Sequence, residues 1–224
     1  MHRNSFSGRR AFMSSFSLGA LAAGLSVIPS PWSSVKAAVP KQTLYTPGSW
    51  LEKIKGPHKV VIDSPEVNAG NAIHWTENLY NSFEQENVPA SEVTVVCVLR
   101  HFGIFLGMNT AVWAKYNLAE MAQLITPYGE TLKENPMYEG NSELFGYEMR
   151  GIKGLIEQGA VFVICGLALE KGAGFIAEQN GMDKEEAKKD FMDSVFPGIE
   201  VVSSGVWAVA RAQEQGCSFI YASK

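Results

Sequence analysis

From Val93 to Leu99 the chain reads Val-Thr-Val-Val-Cys-Val-Leu, an apolar run broken only by Thr94 and dominated by β-branched residues. A run this short is a strand rather than a helix, and because it does not alternate with polar residues, both of its faces must be covered. Lys59-Val60-Val61-Ile62-Asp63, closed by Ser64-Pro65, and Val161 to Cys165 have the same character. Between these runs the spacing of apolar residues changes to three and four. Asn71 to Glu86 carries Ala72, Trp75, Leu79 and Phe83 on one helical stripe, and a further helix is expected over 107–116. Ser142 is placed to cap a helix reaching Gln158, with Phe145, Met149, Ile152 and Ile156 on one face and Gly159 at its end. Helices are also expected from Gly166 through Ala177, over 183–195, and after Ser204 across Val206, Val209, Ala210 and Gln213. Ile199 to Val202 and Ser218 to Ala222 supply a fourth and a fifth strand. Apolar strands alternating with helices describe an α/β fold, a parallel sheet covered on both faces and joined by right-handed crossovers.

In such sheets ligands gather beyond the carboxyl ends of the strands, which directs attention to residues 63–71, 97–108 and 165–169. With 224 residues, 46% of them hydrophobic, the chain can bury a full-sized core. Three cysteines are too few for a disulfide scaffold, and the odd number leaves a thiol unpaired. The Pro- and Gly-punctuated stretch from Thr126 to Asn141 reads as a long loop.

The N-terminus has a different composition. Residues 1–38 hold Arg3, Arg9, Arg10 and Lys36 and no acid, so fifteen of the nineteen Lys and Arg remain beyond it against twenty-three acids, a net charge of −8. That balance argues against nucleic acid as a partner. Ser7-Gly8-Arg9-Arg10-Ala11-Phe12-Met13 precedes a weakly apolar stretch from Phe16 to Ile28, and Val35-Lys36-Ala37-Ala38 follows. This pattern resembles a twin-arginine export signal with cleavage after Ala37 or Ala38. An apolar run of about 13 residues is shorter than the roughly 20 needed to span a bilayer, so stable membrane insertion is not expected. The expected organisation is a cleaved leader over 1–38 and one domain over 39–224, exported through the twin-arginine translocase to the periplasm.

Three segments together resemble the DsrE/DsrF-like sulfur-relay family. Gly159-Ala160-Val161-Phe162-Val163-Ile164-Cys165-Gly166-Leu167-Ala168-Leu169 is similar to its cysteine-bearing strand-to-helix segment. Val95 to Phe102, with His101 after the strand, resembles its strand ending in a histidine, and Ser204-Gly205-Val206 through Gln215-Gly216 resembles its closing helix. The family's histidine is often followed directly by glycine, whereas here Phe102 intervenes. The resemblance spans residues 58–222 and implies a three-layer α/β/α sandwich with a five-stranded, mainly parallel sheet. It also implies homo-oligomers such as trimers or hexamers, a sulfur donor or acceptor protein as partner, and sulfur carried as a persulfide on Cys165. The apolar residues Trp113, Tyr116 and Met121 would permit such an assembly.

Chemistry supports that role for Cys165. At a strand end just before a helix, the aligned N–H groups favour a thiolate, the form that accepts sulfane sulfur. The bland reading is a small hydrophobe capping the core. His101 could tune the thiol or move a proton, since imidazole changes charge near neutral pH; its alternative is an ordinary loop histidine. Arg100 could meet an anion at the same mouth or be solvated. Cys97, inside a strand, and Cys217, at the start of the last, are expected in the core, and a Cys97–Cys165 disulfide is left open. Gly172-x-Gly174-x-x-Ala177 spells a dinucleotide fingerprint but lies too far past the strand to cradle phosphates. No motif for a cofactor or a metal is found. Two functions follow: a periplasmic persulfide carrier or thiol-redox protein acting through Cys165 and His101, or a non-enzymatic ligand-binding or assembly module with a structural cysteine. Whether the protein is an enzyme is left open.

Overall fold

The computed structural model describes residues 48–122, 132, 134–140 and 148–223. The leader expected over 1–38 and much of the 126–141 stretch expected as a loop therefore fall outside the described residues. Five strands, β1 (His58–Ser64), β2 (Val93–Leu99), β3 (Val161–Cys165), β4 (Glu200–Val202) and β5 (Ser218–Tyr221), form one sheet in the order β4-β3-β2-β1-β5. Every neighbouring pair is parallel. This is the α/β/α sandwich expected from the strand pattern. β2 and β3 are buried along their whole length, as unbroken apolar runs require, whereas β5 lies at an edge and is largely exposed.

The helices are α1 (Asn71–Gln85), α2 (Thr110–Tyr116), the single turn α3 (Leu118–Met121), α4 (Ile152–Gln158), α5 (Gly166–Asn180), α6 (Lys184–Asp193) and α7 (Gly205–Glu214). Their distribution follows from strand order. The steps β1 to β2, β2 to β3 and β3 to β4 all move toward the same edge, so right-handed crossovers put α1 through α6 on one face. There they cover Val60, Ile62, Val95, Cys97, Leu99, Phe162 and Ile164. The last step returns across the sheet to pair β5 with β1, and the same handedness sends α7 to the opposite face. It packs there with Trp50 over Val61, Val96, Val98, Val161 and Val163. Alternate residues of each strand serve the two cores, the period-two rule of a pleated strand.

Several expected elements are revised. The buried side of α1 is Ala72, Ile73, Thr76 and Tyr80; Trp75, Leu79 and Phe83 flank it, half-buried. A polar letter at position 76 hid this face, but Thr76 Oγ1 donates to Ala72 O at 2.8 Å, which leaves its methyl free to be buried. Of the helix expected from Ser142 to Gln158, the described helical part is Ile152–Gln158. Positions 141–147 are outside the described residues, and 148–151 are not helical. Gly151 instead lies against the backbone at Tyr138 and Gly140. Ile152 N–H donates to Met137 O (2.9 Å) and Lys153 N–H to Tyr138 O (3.1 Å), so these amides serve a neighbouring segment. The 107–116 helix starts at Thr110, where Asn109 Oδ1 accepts the Val112 N–H at 3.1 Å; residues 101–107 form a 3-10 turn. Trp113 and Tyr116, expected at a subunit interface, are 1% and 3% exposed. Each finds a polar partner inside the fold: Trp113 Nε1 donates to Phe105 O at 2.8 Å and Tyr116 Oη to Asp190 at 2.7 Å. The Gly172-x-Gly174-x-x-Ala177 fingerprint lies within α5, away from any strand-to-helix turn. Among the described residues no helix is long and apolar enough to cross a membrane.

Candidate functional site

Adjacent strands β3 and β4 send their following helices to opposite faces, α5 to one and α7 to the other. A crevice opens where neighbouring connections diverge in this way, and ligands of open parallel sheets collect there. The register sets what lies beside it: Ser64 is level with Leu99, Leu99 with Ile164, and Cys165 with Val202. Asp63, Arg100, Cys165 and Ser204 therefore reach the same end of the sheet. A cleft of about 420 Å³ opens there, lined among others by Arg100, His101, Cys165, Lys171 and Ser204.

Cys165 is the last residue of β3 and the N-cap of α5. Its Sγ accepts the Ala168 N–H at 3.4 Å, so one otherwise unpaired helix-start donor points at sulfur. The residue is 6% exposed, with the cleft as its outlet. Cys97 is buried in the centre of the sheet, and burial pushes its thiol far up despite a hydrogen bond with Thr76. Burial also raises the Cys217 thiol. All three cysteines are free, so Cys97 and Cys165 are not bridged. Both structural cysteines thus sit where the sequence put them, and Cys165 alone opens on the cleft.

His101 follows β2 with φ 51°, a left-handed conformation that turns the chain sharply into the 3-10 segment. Its ring is exposed, stands edge-on to Phe102 at 4.4 Å, and lines the same cleft as Cys165, although no hydrogen bond joins the two. Phe102 separates the histidine from Gly103, and the glycine is needed where it stands: a Cβ there would collide with Ser64 O. Gly103 N–H donates to Pro65 O at 3.1 Å, which ties this turn to the end of β1.

Arg100 is partly exposed but is tied to a carboxylate. Its Nε and Nη2 donate to Asp63 Oδ1 and Oδ2 at 2.6 and 2.8 Å, a two-pronged pair whose carboxylate is 6% exposed. The carboxylate holds the guanidinium further up its already high range. Gly205, the first residue of α7, lets this pair approach the thiol. A Cβ at 205 would stand 2.6 Å from Arg100 Cβ and 3.2 Å from Cys165 Cβ. Behind the cleft, Asn135 Nδ2 donates to the carbonyls of Phe105 (3.1 Å), Leu106 (3.0 Å) and Met108 (2.6 Å), and pins the turn that carries the aromatic wall.

The structure thus joins Cys165 and His101 at one cleft and adds Asp63, Asn135, Lys171 and Gly205, which the sequence did not single out individually. Asp63 fell within the flagged 63–71 segment, and its acidic letter at the end of an apolar strand was the available signal. Nothing in the sequence marks Asn135. Among the described residues no group of three or more His, Cys, Asp or Glu could hold a metal ion.

No protein-family model matches the chain. No curated protein matches it either. Among solved structures it is similar to MTH1491 from Methanobacterium thermoautotrophicum, itself a protein of unknown function, at 19% identity and a TM-score of 0.37 over 73% of this chain and 98% of that one.

Proposed function

We propose that the protein is an exported DsrE/DsrF-like sulfur carrier that holds sulfane sulfur as a persulfide on Cys165. The observation that carries this reading is the contrast among the cysteines. Cys97 is fully buried and Cys217, though 7% exposed, does not line the cleft, whereas Cys165 caps a helix, accepts its N–H and opens on the cleft. A persulfide formed there would place its terminal sulfur in the cleft while the helix start favours its negative charge. His101, on the cleft wall, is the group available to exchange a proton with the incoming or departing sulfur. In this reading the twin-arginine leader delivers the folded chain to the periplasm, and Trp207, Phe219 and Tyr221, exposed on the described surface, support self-association into a trimer or hexamer.

Mass spectrometry of the folded protein after treatment with a sulfane-sulfur donor tests the carrier. Wild type should gain about 32 Da per sulfur. Cys165→Ser should gain nothing, Cys97→Ser and Cys217→Ser should load, and His101→Ala should load more slowly. Loading of Cys165→Ser at the wild-type rate refutes the mechanism and leaves a ligand-binding module with a structural cysteine. Light scattering addresses assembly separately, and a monomer at micromolar concentration rejects the oligomer.

A further inference from the structure

The cleft over Cys165 has three properties that together define a ligand. The first is size: about 420 Å³ lies within the range of roughly 300–1,000 Å³ of small-molecule sites, too little for a protein partner and enough for one compact organic molecule. The second is its apolar wall. Phe102, Phe105, Leu167, Phe175, Ile176 and Val206 line it, and Phe102, Leu167, Phe175 and Val206 remain 43–66% exposed in doing so. The third is charge. Arg100 and Lys171 line the cleft beside His101, and among the described residues no Asp or Glu does, although the chain as a whole carries a net charge of −4. Asp63 compensates Arg100 from behind, whereas Lys171 forms no ion pair with another described residue. An apolar body, an anionic head and a sulfur able to reach Cys165 are the complement of this surface.

We propose that the cleft binds organic thiosulfonate anions, R–SO₂–S⁻ with a compact apolar R group, as the direct sulfur donors to Cys165. This assignment rests on the carrier reading. R packs against the phenylalanine wall, the sulfonyl oxygens face Lys171, and the outer sulfur meets the thiolate. Cys165 S⁻ attacks that outer sulfur; a Cys165 S–S bond forms and the donor's S–S bond breaks. The products are Cys165–S–S⁻ and the sulfinate R–SO₂⁻. Two negative charges enter and two leave, sulfane sulfur is transferred without an external oxidant or reductant, and no proton is consumed. Bringing two anions together is the costly part of this step. A lysine with no ion pair to a described residue, on a wall whose described residues include no carboxylate, lowers that cost, most of all once charge gathers on the sulfinate oxygens.

Benzenethiosulfonate is the donor probe, thiosulfate the donor without an apolar body, and benzenesulfinate the non-transferring ligand. Each loading rate is divided by the rate of the same donor with free cysteine, which removes intrinsic reactivity. Wild type should then prefer benzenethiosulfonate at least tenfold. Phe175→Ser, at a side chain 53% exposed and so tolerant of change, should lower the preference without adding charge to the cleft, while iodoacetamide still alkylates Cys165. Lys171→Met should lower loading from both donors. Benzenesulfinate should bind Cys165→Ser in calorimetry, and Phe175→Ser in that background should weaken the binding. Equal normalised rates together with no sulfinate binding overturn the donor assignment while leaving the carrier intact. Sulfinate binding without transfer from any donor overturns the carrier, and the donor assignment with it.

Discussion

Replacing Asp63 by Asn keeps the volume of the side chain and removes its charge, leaving the Arg100 guanidinium against a neutral amide. Breaking one partner out of a fully buried ion pair costs about 3–5 kcal/mol, because the remaining charge loses its compensation. The Asp63 carboxylate is 6% exposed, but Arg100 is 24% exposed, so water recovers part of the loss. An expected cost is therefore about 2–4 kcal/mol, which lowers the melting temperature of a domain this size by about 4–16 °C. Urea denaturation followed by tryptophan fluorescence gives the free energy. Lys153→Gln, which breaks the exposed pair with Glu139, is the control and should change stability by less than about 0.5 kcal/mol. The double variant Asp63→Asn/Arg100→Gln should be more stable than the two single losses sum to, by at least about 1.5 kcal/mol. Additive losses, or an Asp63→Asn protein within about 0.5 kcal/mol of wild type, would show that the pair does not hold this end of the sheet together.

Gly205→Ala should cost about 1–3 kcal/mol by overpacking, because the new Cβ enters the space of Arg100 Cβ, and should slow alkylation of Cys165; an unchanged melt and unchanged labelling would refute the close approach. Alkaline stability reports on Cys97. Folding raises its pKa by burial, so the native state keeps a proton that the unfolded chain releases, and unfolding becomes easier as pH rises from about 8.5 toward the buried value. Cys97→Ala should flatten the fall in urea stability between about pH 8.5 and 10, and slopes matching wild type would contradict the burial argument.

How far the sequence alone reached can be judged at particular residues. The bounds of β2 and β3 were legible to the residue, because a strand buried on both faces must be apolar throughout and Gly or polar residues close it at once. The C-cap at Gly159 was legible as well, since its φ of 114° belongs to glycine. Cys165 and His101 could be placed at strand ends for the same reason. Local pattern misjudged α1, where Thr76 hides its hydroxyl against its own helix, and the start of α4, where the amides of Ile152 and Lys153 bond to a distant segment. It also sent Trp113 and Tyr116 outward, because their Phe105 and Asp190 partners lie 8 and 74 positions away.

What only the tertiary structure decided is the neighbourhood of the thiol. Periodicity fixes which residues form a strand and which face each side chain takes, since both are properties of a few consecutive residues. It does not fix strand order, which depends on contacts between residues far apart in the chain. Here β5 returns to pair with β1, and a right-handed crossover then has one route, over the face opposite α1 to α6. That return sets α7 on its own face, opens the crevice between β3 and β4, and brings Gly205 against Arg100 and Cys165. The cysteine was readable in the chain; its cleft and its arginine neighbour exist because the last strand goes back to the first.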